Sequence, residues 1–124
     1  MEITVKWESG ESNQGFGAEF CSDENRRNRY IYGIASNGGY IIAHCENRGD
    51  YYYDVESQSD YINLGSSDNT LKIISKDNTI MFYVNNKFLK QLTFNGGYGQ
   101  DFGVFANSGT KVSFSIFKLS GEKE

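Results

Sequence analysis

The stretch Glu46-Asn47-Arg48-Gly49-Asp50-Tyr51-Tyr52-Tyr53-Asp54 sets charged and amide side chains beside three tyrosines. Three consecutive tyrosines in a strand cannot share one face, because successive side chains point to opposite sides. Tyr51 and Tyr53 then lie on one face and Tyr52 on the other. A flat aromatic ring stacks on the apolar CH face of a pyranose or furanose, and planar polar groups take its hydroxyls. Arg48 and Asp50 place such groups beside the tyrosines. A second stretch, "NGGYGQD", adds Tyr98, Gln100 and Asp101. The candidate ligand-binding residues are therefore Arg48, Asp50, Tyr51, Tyr52, Tyr53, Tyr98 and Asp101. Each tyrosine has a competing structural role, which is to cover the second face of a thin sheet.

The elements that position these groups follow from composition and periodicity. A chain of 124 residues makes one domain. Fourteen glycines, no proline and an aromatic share of 15% suit short strands joined by tight Gly/Asn turns rather than a helical bundle. Apolar residues alternate with polar ones in "EITVKWE", "GFGAEFC", "RYIYGIA", "GYIIAHC", "NTLKIIS", "TIMFYVN", "KFLKQLTF", "DFGVFAN" and "KVSFSIFKL". The turns "SNGG", "KDN" and "NN" between them contain the residues that accept positive φ. An all-β sandwich of two antiparallel sheets follows. Its expected core is Phe16, Phe20, Leu71, Ile73, Ile80, Phe82, Val84, Val104, Val112 and Phe114. Residues 1–119 read as a single domain and 120–124 as a frayed tail.

The bulk charge limits the partners. A net charge of −4 and a pI near 5.0 exclude nucleic-acid binding through a broad basic surface. The dense basic spot Arg26, Arg27 and Arg29, beside Asp23 and Glu24, reads as a solvated loop of mixed sign. No apolar run approaches the roughly 20 residues that span a bilayer, so no membrane insertion is expected. "MEITVKWESG" alternates like a strand and not like a signal peptide. The chain reads as cytosolic, or as a piece excised from a secreted or cell-surface parent. Cys21 and Cys45 do not settle the compartment.

Longer motifs then carry a resemblance. "NTLKIISKDNTIMFYVNNKFLKQLTF", with "GGYGQDFGVFANSGTKVSFSIFKL", resembles the second half of the concanavalin-A-like lectin/glucanase jelly roll. It is most similar to the laminin-G-like branch, which includes fructan-binding carbohydrate modules and the 3-keto-disaccharide hydrolase domain. Asn69, Leu71, Ile80, Phe82, Tyr83, Val84, Asn85, Gly103, Phe105, Ala106, Val112, Phe114 and Phe117 fit that branch's pattern, and "GFGAEF" and "YIYGIASNGGYII" match it upstream. The resemblance spans about residues 15–119 and implies a jelly roll shortened at its N-terminus, with an open sheet edge. Its matching positions are core and turn residues, so they specify the fold and not the ligand. Asn86 stands where the branch commonly has glycine.

Catalytic and metal chemistry is sparse. His44 has no nucleophile motif near it, and the E-x-D-x-x-E signature of the glucanase branch is absent, so no enzyme is expected. One His and two Cys do not furnish a four-ligand zinc site. Calcium is the ion that suits this fold, with Asp23, Glu24, Asp50 and Asp101 as candidate ligands, but no ligand spacing recurs and no cofactor is expected. Two function classes result. The first is a non-catalytic module binding a poly- or oligosaccharide. The second is a protein-interaction or structural module that pairs with a second copy or a parent-protein domain through its edge or its tyrosine face.

The cysteines yield a test. If residues 15–21, 29–35 and 39–45 form a meander, Cys21 and Cys45 sit two strand spacings apart, roughly 9.5 Å. A disulfide requires Cα atoms within about 7 Å. Alkylation of unreduced protein should label two thiols by mass; a monomer with no free thiol would refute the meander.

Overall fold

The structure is a computed structural model. It describes residues 1–25, 27–47, 49–93, 98–99 and 101–118, without the side chains of Asp50 and of residues 116–118. Ten strands follow in order: β1 (Glu2–Gly10), β2 (Phe16–Ser22), β3 (Arg29–Ile34), β4 (Gly39–Glu46), β5 (Asp50–Gln58), β6 (Asp68–Lys76), β7 (Thr79–Val84), β8 (Lys87–Thr93), β9 (Asp101–Ala106) and β10 (Thr110–Lys118). They form two five-stranded sheets, ordered β10-β1-β6-β7-β8 and β5-β4-β3-β2-β9. Every pairing is antiparallel. The all-β sandwich expected from the alternation is the fold found.

The turns form as their residues dictate. Asn85 and Asn86, between β7 and β8, both have positive φ (53° and 67°), the requirement of a type I′ hairpin. Gly38 supplies φ 94° between β3 and β4. β1 does not form an edge. It runs inside its sheet between β10 and β6, and the edges are β10 and β8 in one sheet and β5 and β9 in the other.

The core lies between the sheets. From β2, Phe16, Ala18 and Phe20 point inward; from β3 and β4, Tyr32, Ile34, Tyr40 and Ile42 join them. The other sheet contributes Ile3, Val5, Leu71, Ile73, Ile80, Phe82 and Val84. Tyr32 is fully buried, meets Phe82 edge-on at 5.1 Å between centroids and donates from its hydroxyl to the Tyr83 carbonyl at 3.0 Å. Of the expected core, Val112 and Phe114 are partly buried and pack against it. Val104 is not a core residue, being 39% exposed. It lies on β9, the last strand of its sheet, where an inward side chain has a covering neighbour strand on one side only.

Burial of Asn69 is different in kind. Its Oδ1 accepts from Asn63 N at 2.8 Å and Asn85 Nδ2 at 2.9 Å, while its Nδ2 donates to Asn63 O at 2.9 Å. The side chain thus acts as extra backbone and fixes the 59–67 loop to the β7–β8 turn. Such satisfied buried polar groups are costly to truncate, because their partners are left unmade. Asn69→Ala should destabilise by about 2–3 kcal/mol, the sum of three net hydrogen bonds. Urea melts of the two proteins measure it, and a loss under 0.5 kcal/mol would show the loop to be held by other contacts.

Candidate functional site

Register places one set of side chains on the outward face of the β5-β4-β3-β2-β9 sheet. One row across that face reads Gly103, Glu19, Ile31, Ala43, Tyr53. The next row toward the sandwich end holds Arg29, Cys45 and Tyr51. The row on the other side reads Phe105, Gly17, Gly33, Ile41, Glu56. The middle of the face combines the small residues Gly17, Gly33 and Ala43 with Ile31 and Ile41, and aromatic groups rise at both sides. Gly33 leaves room there: a Cβ on it would lie 2.7 Å from Phe105 Cζ and would push the ring aside. Its bare backbone lets the Phe105 ring lie across the sheet.

A charged pair sits on this face. Glu19 is buried, with its side chain 5% exposed, although its strand position points away from the core. Arg29, 16% exposed, places Nε 3.4 Å from Glu19 Oε2. The same guanidinium donates from Nη2 to the Tyr51 hydroxyl at 2.8 Å and stands 5.7 Å from the Tyr51 ring centroid. Arg29 is thus held by a carboxylate on one side and a tyrosine on the other. Its planar donors are oriented before any ligand arrives.

The tyrosine run divides as alternation requires. Tyr51 and Tyr53 share the outward face, with centroids 6.4 Å apart and rings tilted by 32°. They are 42% and 57% exposed. Beside Tyr53 a depression of about 490 Å³ opens, floored by Gly33 and Ile41 and ringed by Glu56 and the amides of Gln14, Asn37, Gln58 and Asn107. Tyr52 lies on the opposite face, where its ring stacks on His44 at 5.2 Å.

Tyr98 also belongs to that opposite side. Its ring stacks on Tyr30 at 5.4 Å and its hydroxyl donates to Glu46 Oε2 at 2.8 Å. Tyr98 and Gly99 are seated by their own backbone, both N–H groups donating to Cys21 O at 3.1 Å. Cys21 itself occupies a bulge with φ 52°. Gly99 fits only as glycine, because a Cβ would come within 2.3 Å of Ser22 O.

The sequence candidates are therefore not gathered in one place. Tyr51 and Tyr53 meet on the outward face, and Tyr52 and Tyr98 lie on the other. Asp101 starts β9 opposite Ser22. Asp50 starts β5 opposite Glu46. Arg48 and Gln100 lie outside the described residues, as does Arg26. Glu19, Arg29 and Glu56 were not among the candidates. Arg29 opens β3, as the segment 29–35 requires, but it is paired with Glu19 and is not solvated as the basic spot Arg26, Arg27 and Arg29 reads. Arg27 is exposed as that reading requires. Both cysteines are free thiols, and β2, β3 and β4 do form the meander.

Metal-binding groups are dispersed. Among the described residues no three of His, Cys, Asp and Glu come together as a metal site. Asp23 instead caps its own loop, accepting from Arg27 N at 2.9 Å and from Asn28 Nδ2 at 2.8 Å. The Asn28 side-chain bond, first among several, holds its carboxyl below the usual range.

With this geometry described, known structures can be compared. A carbohydrate-binding module CBM66 from Bacillus subtilis superposes with a TM-score of 0.69 at 15% identity, covering 91% of this chain and 68% of that one. Sheep galectin-11, in complex with glycerol, gives a TM-score of 0.61 at 12% identity over 92% of this chain and 86% of the other. The fold is the lectin-like jelly roll. At the level of sequence no family profile and no curated protein matches. The concanavalin-A-like resemblance read from the motifs agrees with this jelly roll, and identities this low carry the fold alone.

Three phenols of this jelly roll are shielded. Burial pushes Tyr32 and Tyr98 far above the ordinary tyrosine range, helped in Tyr98 by the bond to Glu46 and in Tyr32 by Tyr40. Tyr30 is raised by burial first and then by Asp54, Cys21 and Glu46. The folded protein therefore keeps protons that the unfolded chain releases near pH 10. Their stabilising contribution is full below that pH and falls as pH rises above it. Urea midpoints should drop as pH rises past about 10, and phenolate absorbance should show the fully buried Tyr32 ionising only with unfolding. A midpoint that stays flat there would contradict the burial.

Proposed function

We propose that this chain is a non-catalytic carbohydrate-binding module whose ligand lies on the outward face of the β5-β4-β3-β2-β9 sheet. The observation that carries the reading is the Arg29 guanidinium, fixed between Glu19 and Tyr51 beside the exposed rings of Tyr51 and Tyr53. A tyrosine ring takes the CH face of a sugar, while the oriented guanidinium on the Tyr51 side and the Glu56 carboxylate on the Tyr53 side take hydroxyls at separate points along an extended ligand. The surrounding amides of Gln14, Asn37, Gln58 and Asn107 are neutral donors and acceptors suited to further hydroxyls. Two lectin-like proteins share the fold, and the motif pattern favours the laminin-G-like branch within it.

The ligand on this reading is a neutral poly- or oligosaccharide. Glu19 offsets the charge of Arg29, so binding should change little with salt. The face is open, so affinity should fall between about 1 mM and 1 μM. Binding needs no metal, and chelation should leave it unchanged.

Calorimetry against a panel of glucans, fructans and galactans tests the proposal. Tyr53→Ala should weaken binding roughly five- to ten-fold, about 1 kcal/mol, with the melting temperature nearly kept. Tyr52→Ala, on the opposite face, should leave binding intact. If no glycan binds the wild-type protein at millimolar concentration, the reading falls. The exposed tyrosines of β5, an edge strand, then favour the alternative, a module that pairs with another protein chain.

A further inference from the structure

The opposite face of β5 has chemistry of its own. Along the inward row Phe20, Tyr30, His44, Tyr52 the rings form a continuous series. Centroid separations are 5.6 Å from Phe20 to Tyr30, 5.5 Å from Tyr30 to His44 and 5.2 Å from His44 to Tyr52. Between this row and β7–β8 of the other sheet lies a slit of about 150 Å³. Ile42, Ile80, Phe82 and Leu92 make its apolar part. A cavity of that size holds a group as large as benzene.

The polar residues of the lining are Asp54, His44, Tyr30 and Thr93. Asp54 stands in its lining and accepts from His44 Nδ1 at 3.0 Å through Oδ2. Among the described residues no lysine or arginine lines it. Glu46 lies nearby, bonded by the Tyr98 hydroxyl, whose ring covers Tyr30. The negative field reaches Tyr30, whose phenol is raised by burial and then by Asp54 and Glu46 among its neighbours.

Aromatic faces attract a cation through their quadrupole within about 6 Å of the ring centre, and more strongly when water is excluded. A carboxylate beside such faces adds a direct counter-charge. An apolar recess behind them takes a short hydrocarbon stem. The geometry points to a second binding site in this slit, for a small organic cation: an ammonium on a short apolar stem, held by the Phe20, Tyr30 and His44 rings and by Asp54. This site is separate from the proposed sugar face. It lies on the other side of the sheet and excludes anions and neutral sugars by its charge and its apolar lining.

Choline chloride is a suitable probe, with dimethylbutanol as its uncharged carbon isostere. Titrated into the intact protein and followed by NMR, choline should shift the Leu92 methyl and His44 ring resonances saturably, at about 1 mM affinity. Dimethylbutanol should bind at least ten-fold more weakly. Asp54→Asn, a change at a partly exposed side chain, should remove that preference while the fold is kept by circular dichroism. Leu92→Trp, which fills the slit, should abolish binding of both probes. Equal binding of choline and its isostere to wild type would overturn the cation site. So would no saturable shift, or shifts confined to Tyr51 and Tyr53. Glycan calorimetry on the same samples reads the other face, so failure of one site is distinguishable from failure of the other.

Discussion

Tyr32 joins the two sheets, and the arrangement of both faces depends on that contact. Its ring is fully buried against Phe82 and its hydroxyl reaches the Tyr83 carbonyl in the opposite sheet. A buried phenol must find an acceptor, and a backbone carbonyl of a paired strand supplies one at fixed geometry. β3 is the middle strand of its sheet. With Tyr32 directed inward, alternation directs Ile31 and Gly33 outward at the centre of the exposed face. Arg29 falls on the same side, two residues before Ile31. The interior bond therefore sets the register of the outward chemistry.

The outward face then has to solve a second problem. A sheet covered on one side normally presents solvated polar residues on the other. Here Ile31, Ala43, Cys45 and Glu19 are buried on that other side, beneath Tyr51, Tyr53 and Arg29. Glu19 loses water there and is compensated by Arg29, since an unpaired buried carboxylate would be costly. Removing either partner alone leaves a charge without its counter-charge, a more severe change than replacing both. The pair is better understood as orienting Arg29 than as a source of stability.

The sandwich was legible in the sequence because nearly every segment alternates with period two and the turns carry Asn or Gly. The split of Tyr51 and Tyr53 from Tyr52 was legible for the same reason. The Glu19–Arg29 pair was not. Glu19 alternates correctly between Ala18 and Phe20 and reads as an ordinary solvated position. Arg29 follows two other arginines and reads as part of their loop. Only the antiparallel register of β2 with β3 brings them together, and register is a tertiary property. Tyr98 was misleading in another way. Its neighbours Gln100 and Asp101 resemble a ligand set, but its ring is taken by Tyr30 and its hydroxyl by Glu46. Val104 alternates like a core residue, and only its edge strand explains its exposure.

A bulge lets β5 serve two faces at once. Register shifts between Ile42 and Ala43, so Tyr53 stands opposite Ala43 and Val55 opposite Ile42, leaving Asp54 as the extra residue. Strict alternation after Tyr53 would have sent Val55 outward and Glu56 into the core. With the extra residue, Val55 packs on the core and Glu56 joins the depression beside Tyr53. The same bulge releases Asp54 from the ladder and brings its carboxylate to His44. One inserted acidic residue thus keeps a carboxylate out of the core, places another on the outward face, and supplies the counter-charge of the inward slit. Deleting Asp54 would force either the tyrosine pair or Val55 and Glu56 to exchange faces, and the two surfaces could not both survive.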